Sequence, residues 1–388
     1  MTTPAEQQAK VQVVGAAILR HGCVLAARRT APVEAAGRWE FPGGKVEPGE
    51  THEAALVREI REELGCVIEV TGRLGGTAAI RDTHQLTVHL ARLVGGEPTP
   101  TEHDAVRWLA PEELGDVDWL DSDRPFLAEL RDRLLDGDPL PGGSVGGAAR
   151  IGETVRRPTG PWTPAVHALL AHTHDAGLPG VPRVHGFDER GREILDYLPG
   201  EVVDVDTDQI SEARLTALGR WTRAFHDAQA DPAHPFRHDG PWRFPPAARA
   251  EVVAHNDLAP YNLAFAGDDL VGVFDWDVAG PSTVLFELAH IAWNAVPLFR
   301  EIPPDEAAHR LETLAAAYAG PSAAEILAAV TPRVRSVVDG IPSAAAAGDE
   351  GMRRLMSNGE PGLTLAALEA LQRRLPAIEA ALQAHKTG

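Results

Sequence analysis

Cysteine is nearly absent from this chain: Cys23 and Cys66 are the only two. That is too few for a disulfide framework and suits a reducing compartment. Lysine is almost as scarce, at Lys10, Lys45 and Lys386, so nearly all the positive charge is arginine. Positive charge is itself in deficit: 36 basic against 56 acidic side chains leave a net charge of −20. Such a surface repels nucleic-acid backbones and anionic membranes, so no nucleic acid and no membrane is expected as a partner. An anionic small molecule needs a metal ion or a local arginine cluster to reverse the field. No stretch approaches about 18 uninterrupted apolar residues, the length a membrane span requires. The segment Met1 to Lys10 is polar, without the apolar centre of a signal peptide, and a cytoplasmic location is expected. No period of 20 to 50 residues recurs, which excludes a repeat array.

What is present is ordinary for a globular chain: 388 residues, 44% hydrophobic and 24% charged. At about 150 residues per domain, two or three domains are expected. Val11 to Leu19 and Gly22 to Ala27 read as paired strands. A helix follows from Thr51, then strands at Val67 to Val70 and Thr87 to Leu93, and helices at Pro111 to Leu114 and Arg124 to Leu135. The densest Gly/Pro cluster spans Asp136 to Gly147 and marks the boundary between a domain at 1–137 and another at 138–388. Beyond it, short strands at Val155 and Ile194 to Tyr197 alternate with helices at Pro164 to His174 and Ile210 to Gln229. From about Asp305 the chain is Ala/Leu-rich and helical.

Two constellations carry chemistry. In the first, Gly43, Gly44, Pro48 and Gly49 force a tight loop before a helix for which Thr51 is a suitable N-cap. Val57, Ile60 and Leu64 form its expected apolar face, and Glu59, Glu62 and Glu63 share a neighbouring one. Like charges so placed repel, and a divalent cation offsets that repulsion; hard oxygen ligands suit Mg²⁺ or Mn²⁺. By spacing alone, an acidic face on solvent with Arg58 and Arg61 as partners fits as well. The whole pattern, Gly44, Glu50, Arg58, Glu59, Ile60, Glu62, Glu63, Gly65 and Cys66, resembles the Nudix box, with Cys66 where an aliphatic residue is usual. The resemblance runs over roughly Val11 to Leu135. It implies an α/β/α sandwich and Mg²⁺-dependent hydrolysis of a nucleoside diphosphate linked to another group. It further implies that Glu59, Glu62, Glu63 and the Gly43 carbonyl hold the metals, which orient and acidify a water, with Glu62 and Glu63 central to catalysis. Glu102 stands where MutT-like members carry a further ligand or base, and Arg58 anchors the glutamates. Arg28-Arg29 and Gly37 to Pro42 resemble the MutT-type triphosphatases: Arg29 is expected at the phosphates or base and Phe41 in the base pocket, unless the one is a surface charge and the other core. Asp118, Trp119 and Asp121 lie where relatives read the base edge.

In the second, a strand end leads into His255-x-Asp257-x-x-x-x-Asn262, and another strand ends in Phe274-Asp275-Trp276-Asp277. Phosphoryl transfer from ATP needs an aspartate to orient the acceptor hydroxyl and an Asn/Asp pair to hold Mg²⁺. Asp257, Asn262 and Asp275 supply those groups in that order; two unrelated turns after strands are the plain alternative. From about Gly142 onward the chain resembles the aminoglycoside phosphotransferase family, kinase-like and two-lobed. Asn256 and Glu287 replace that family's usual Gly and Asp. Leu195 to Gly200, with Tyr197, resembles the adenine-binding hinge. The usual phosphate-gripping lysine is missing, so Arg156 or Arg157 has to serve, and Trp162 to His174 has no glutamate to pair with it. Trp221 and His226 read as packing residues.

The expectation is thus an α/β Nudix sandwich followed by an α+β kinase-like domain. A nucleotide substrate with Mg²⁺ is expected for the first, ATP and a small hydroxylated acceptor for the second. Two rivals remain: only the Nudix half is catalytic, on a linked diphosphate, with the other half a binding module; or the protein is a kinase with a sensing domain. Oligomeric state is not legible.

Overall fold

The computed structural model describes residues 10–140, 147–205, 207–230, 235–236 and 239–387. The first nine residues and 141–146 of the Gly/Pro cluster lie outside them. The chain divides into two compact units. The first reaches Leu140 and takes in Ala149–Arg156, and the second runs from Arg157 to the last helix.

The first unit has strands β1 (Val11–Arg20), β2 (Cys23–Arg29), β3 (Trp39–Glu40) and β4 (Gly43–Lys45), then helix α1 (His52–Leu64). Strands β5 (Val67–Arg73), β6 (Ala78–Ile80), β7 (His84–Gly95) and β8 (His103–Leu109) and helix α2 (Leu127–Leu134) follow. The sheet order is β3-β2-β1-β7-β5, with β4 on β1, β6 on β7 and β8 on β2. β1 and β7 run parallel and the other pairs antiparallel. Side chains alternate across a strand. So Val14, Ala16 and Ile18 of β1 meet α1 on one face, and Ala17 joins Val88, Leu130 and Leu134 on the other. This is the expected α/β/α sandwich. The face α1 buries is Leu56, Ile60 and Leu64, and Val57 is only partly covered. Periodicity gives the helix but not its rotation on the sheet, which the core behind it decides. Thr51 caps α1 as expected, accepting from the Ala54 N–H at 3.2 Å, and Gly65 ends it at φ 65°. Short strands β9 (Asp138–Pro139), β10 (Ala149–Ile151) and β11 (Thr154–Arg157) follow.

The second unit starts with helix α3 (Thr163–Asp175) and the hairpin β12 (Val184–Phe187) and β13 (Glu193–Asp196). Next come α4 (Glu212–Gln229), β14 (Val252–Ala254), the hairpin β15 (Leu263–Ala266) and β16 (Asp269–Val273), and β17 (Gly280–Ser282), which pairs with β14. Helices α5 (Val284–Ala295), α6 (Pro304–Tyr318), α7 (Ala323–Ala346), α8 (Glu350–Ser357) and α9 (Gly362–Thr387) complete it. Phe225, Trp276, Leu288, Leu311, Val330 and Leu371 belong to one core that joins the catalytic-loop strands to these helices. Trp221 and His226 are buried in α4, as expected of packing residues; His226 Nδ1 lies 2.9 Å from the Tyr318 hydroxyl. This is the small strand-bearing lobe and large helical lobe of a kinase-like fold. No single helix among the described residues is long and apolar enough to cross a membrane. Only α6 and α7 taken together pass on length and composition, across a bend of 102°.

Candidate active sites

In the first unit the glycine turn touches the α1 carboxylates directly. Gly43 lies in β4 against β1, and a side chain there would drive a Cβ to 2.2 Å from the Val14 carbonyl oxygen. At Gly44 a Cβ would meet the Glu59 carboxyl at 2.4 Å. Only glycine lets the strand approach the helix this closely. The Gly43 N–H donates to Glu63 Oε2 at 3.0 Å. Arg58 spreads over the remaining acids: Nη2 and Nε reach Glu50 at 3.0 and 3.1 Å, and Nη1 reaches Glu59 at 2.9 Å and Glu62 at 3.5 Å. Arg58 is thus the anchor the sequence suggested, and its guanidinium holds the Glu50 carboxyl below its ordinary range. Glu62 is exposed. Glu63 is only 8% exposed, and burial pushes its carboxyl up to about 7 despite the nearby His103; Glu40 adds to the rise.

Hard carboxylate oxygens on one helix face, beside a backbone turn and with one acid buried at a charge cost, fit a divalent cation. Among the described residues no three acidic, histidine or cysteine side chains converge as a ready-made cage. Arg58 engages two of the three helix acids instead.

Behind this face lies a buried polar group that composition and spacing did not single out. Arg29 Nη1 sits 2.7 Å from both oxygens of Glu40, and His103 Nε2 lies 3.0 Å from Glu40 Oε1. Asp123, 2% exposed, accepts from the Phe41 N–H at 2.8 Å and from the Ser122 hydroxyl at 2.7 Å; burial raises its carboxyl to about 7. Arg29 is therefore committed to Glu40 and is not an unattached surface charge. Phe41 is 3% exposed with its ring 4.9 Å from that of Trp119, so the structure makes it core. Glu102 is exposed in the bend before β8, and among the described residues no hydrogen bond or ion pair links its carboxylate to the α1 glutamates. Asp118 and Asp121 pair with Arg38 and Arg124.

In the second unit the loop after β14 carries Asp257. Asn256 has φ 65°, a left-handed backbone that glycine takes freely and asparagine tolerates best among the rest. Its departure from the family's glycine keeps the turn. The loop is braced from below: the Asn256 N–H donates to Glu287 Oε2 at 2.9 Å, and Arg333 Nη2 donates to the Asn256 carbonyl at 2.7 Å. Both are buried, and burial lifts the Glu287 carboxyl to about 7. Asn262 Nδ2 donates to Asp257 Oδ2 at 2.8 Å, and His290 Nε2 lies 2.9 Å from Asp257 Oδ1. Burial alone would raise the Asp257 carboxyl, but the His290 bond holds it below its ordinary value.

Asp275, at φ 63° after β16, meets Arg157 Nη2 at 2.6 Å; the same nitrogen is 3.1 Å from Asp277. Arg157 Nη1 lies 3.7 Å from Glu193 of β13, and His167 of α3 holds Glu193 from the other side at 2.7 Å. The expectation that α3 offers no glutamate to the cation holds. The glutamate comes instead from a strand, with a histidine of α3 behind it, and this substitution was not foreseen. Arg156 turns elsewhere, to the Thr154 hydroxyl and to Glu112 at 3.3 Å. Tyr197 follows β13 directly and is half-buried. Arg157 and, at 3.5 Å, Arg243 both face Asp277, so the Asp275–Asp277 carboxylates are neutralised by arginine here, and Asp275 would have to exchange Arg157 for Mg²⁺ to act as its ligand.

Comparison with known proteins finds a family for each half of the chain. Residues 9–130 match the family model described as NUDIX domain, and residues 155–248 and 242–327 match that of the phosphotransferase enzyme family. A putative 8-oxo-dGTP diphosphatase 2 of Mycobacterium tuberculosis is 47% identical over 128 residues, 32% of this chain and 90% of that protein. A CTP pyrophosphohydrolase of Escherichia coli is 40% identical over 121 residues, covering 30% of this chain and 88% of that protein. A trifolitoxin immunity protein of Rhizobium leguminosarum bv. trifolii is 35% identical over 166 residues, 41% of this chain but 62% of that protein. With the glycine turn and the glutamate helix in place and most of such a relative's length matched, the chain is an enzyme of the Nudix hydrolase family, with a second region that matches the phosphotransferase enzyme family model.

Proposed function

We propose that the first unit hydrolyses (deoxy)nucleoside triphosphates to monophosphate and pyrophosphate. The observation that carries this is the α1 face, where Glu59 and Glu63 lie against a glycine turn and Arg58 ties Glu62 to Glu59. A divalent cation, Mg²⁺ or Mn²⁺, held by these carboxylates and the Gly43 carbonyl would neutralise the phosphates and lower the pKa of a bound water. Arg58 keeps Glu59 and Glu62 directed to one side, and the Gly43 N–H fixes Glu63. In the reaction a water oxygen bonds to a phosphorus of the α–β bridge, the bridging P–O bond breaks, and the water's proton passes to a carboxylate, with Glu102 the candidate base. The names of the relatives, an 8-oxo-dGTP diphosphatase and a CTP pyrophosphohydrolase, support triphosphates over linked diphosphates. Comparing kcat/KM on nucleoside triphosphates and on nucleoside diphosphate sugars tests this; preference for the second set would overturn the substrate class and leave the family unchanged.

The second unit transfers the γ-phosphate of ATP to a hydroxyl of a small molecule. Asp257, kept ionised, accepts the hydroxyl proton, Asn262 and Asp275 would hold Mg²⁺, and Tyr197, in the segment that resembles the family's hinge, would border the adenine. Arg157 is the cation for the phosphates. A guanidinium forks onto phosphate oxygens as an ammonium cannot, so Arg157 replaces the missing lysine with different geometry. The lack of lysine supports the rival reading, a second unit that binds nucleotide without transferring phosphate. Calorimetric titration of ATP·Mg²⁺ into the full chain, followed by a search for ADP, separates the two.

A further inference from the structure

Every oxygen of the Asp257 carboxylate is already engaged by the chain itself. Oδ2 accepts from Asn262, and Oδ1 accepts from His290 and from the hydroxyl of Tyr261 at 3.0 Å. Oδ1 thus carries two donors while Oδ2 carries one, so an acceptor hydroxyl that approaches through Oδ1 has to take the place of one of them. Asn262 is buried and also tied to the Asp257 carbonyl at 3.0 Å, and the His290 side chain is 12% exposed on a core helix. Tyr261 differs from both: it is 37% exposed, and what it presents to Asp257 is a neutral hydroxyl on a ring carbon. That is the same kind of donor as the acceptor's own C–O–H. The neighbouring Arg333 keeps a buried Nε–H without a hydrogen-bond partner.

We infer that the Tyr261 phenol is a stand-in for the acceptor hydroxyl, seated on the catalytic aspartate until an acceptor displaces it. The inference rests on the kinase reading of the second unit. It makes Tyr261 the residue that sets acceptor specificity: an acceptor has to offer a better hydroxyl than a tethered phenol. A hydroxyl carried on a ring carbon is the class that fits.

Tyr261→Ala removes the stand-in and leaves a phenol-shaped space, so phenol itself is the probe. Without nucleotide or metal, millimolar phenol should raise the melting temperature of Tyr261→Ala and leave the wild-type protein unchanged. With ATP·Mg²⁺, the same variant should form phenyl phosphate: the phenol oxygen bonds to the γ-phosphorus, the bond to the β-phosphate oxygen breaks, Asp257 takes the phenol proton, and ADP leaves. Wild type should give at least about tenfold less, and Tyr261→Ala with Asp257→Ala none. Tyr261→Phe, which keeps the ring, should raise acceptor-independent ADP formation several-fold as water reaches Oδ1. ADP and phosphate distinguish this from monophosphate and pyrophosphate made by the first unit. A variant that binds ATP·Mg²⁺ but neither binds nor phosphorylates phenol overturns the inference alone. Absence of ATP·Mg²⁺ binding in wild type overturns the kinase reading and the inference with it.

Discussion

Glu63→Gln tests the first site through stability and activity at once, with opposite signs. The Glu63 carboxyl titrates at about 7 in the folded chain against an ordinary 4.5, because it is buried. At about 1.4 kcal/mol per pH unit of difference, ionising it inside the fold at pH 8 costs on the order of 3 kcal/mol. A value raised by folding lends stability that is complete below pH 4.5 and is lost as pH climbs through 7. Glutamine does not titrate, and its amide oxygen still accepts from the Gly43 N–H. In EDTA the variant should therefore melt with wild type near pH 4.5 and above it at pH 8, by about 5–10 °C for a unit of this size. Millimolar Mg²⁺ should then raise the wild-type melting temperature at pH 8 and leave the variant unmoved, while turnover of the variant falls by about two orders of magnitude or more. Scanning calorimetry at the two pH values, with and without Mg²⁺, reads all of this. Coincident melting at pH 8 in EDTA would refute the burial argument, and equal stabilisation of both proteins by Mg²⁺ would refute Glu63 as a ligand.

Other expectations follow from the same contacts. Gly44→Ala places a methyl on the Glu59 carboxyl, so hydrolysis should drop at least about tenfold with little change in melting; an unchanged kcat would contradict the close approach. Asp275→Ala should abolish ATP·Mg²⁺ binding, whereas Asp257→Ala should retain binding and lose transfer, and calorimetry beside an ADP assay separates them. Arg157→Lys should keep measurable nucleotide affinity and Arg157→Ala should lose it; equal affinity in both would remove Arg157 from the phosphates. Glu193→Gln should weaken nucleotide binding through Arg157, and full affinity in that variant would detach the strand glutamate from the site.

Local features were legible before any coordinates. The glycine turn, the Thr51 cap and the three glutamates lie within 21 residues from Gly43 to Glu63, so spacing alone brings them onto one helix beside one turn. The Asp257–Asn262 loop is local in the same way, and Asn256 is intelligible as the non-glycine residue that best accepts a left-handed turn. What was not legible depends on elements meeting across the fold. Leu56, not Val57, faces the sheet because neighbouring strands fix the rotation of α1. Arg157 finds its acid on β13 rather than on α3, since strand position, not sequence order, puts Glu193 beside it. His290 reaches Asp257 from a separate helix; its only local signal is its place three residues after Glu287, on the same face of α5. The Glu40–His103–Arg29 group joins three strands and leaves no mark on any one of them.

The central claim is that the α1 glutamates make this chain a metal-dependent nucleotide pyrophosphohydrolase. The most direct measurement separates products after incubating the full chain, and its Glu62→Gln variant, with a panel of (deoxy)nucleoside triphosphates with and without Mg²⁺. Monophosphate and pyrophosphate from wild type only when Mg²⁺ is present, falling at least about a hundredfold in the variant, is the predicted result. Equal turnover by wild type and variant, or hydrolysis undiminished in EDTA, would contradict it.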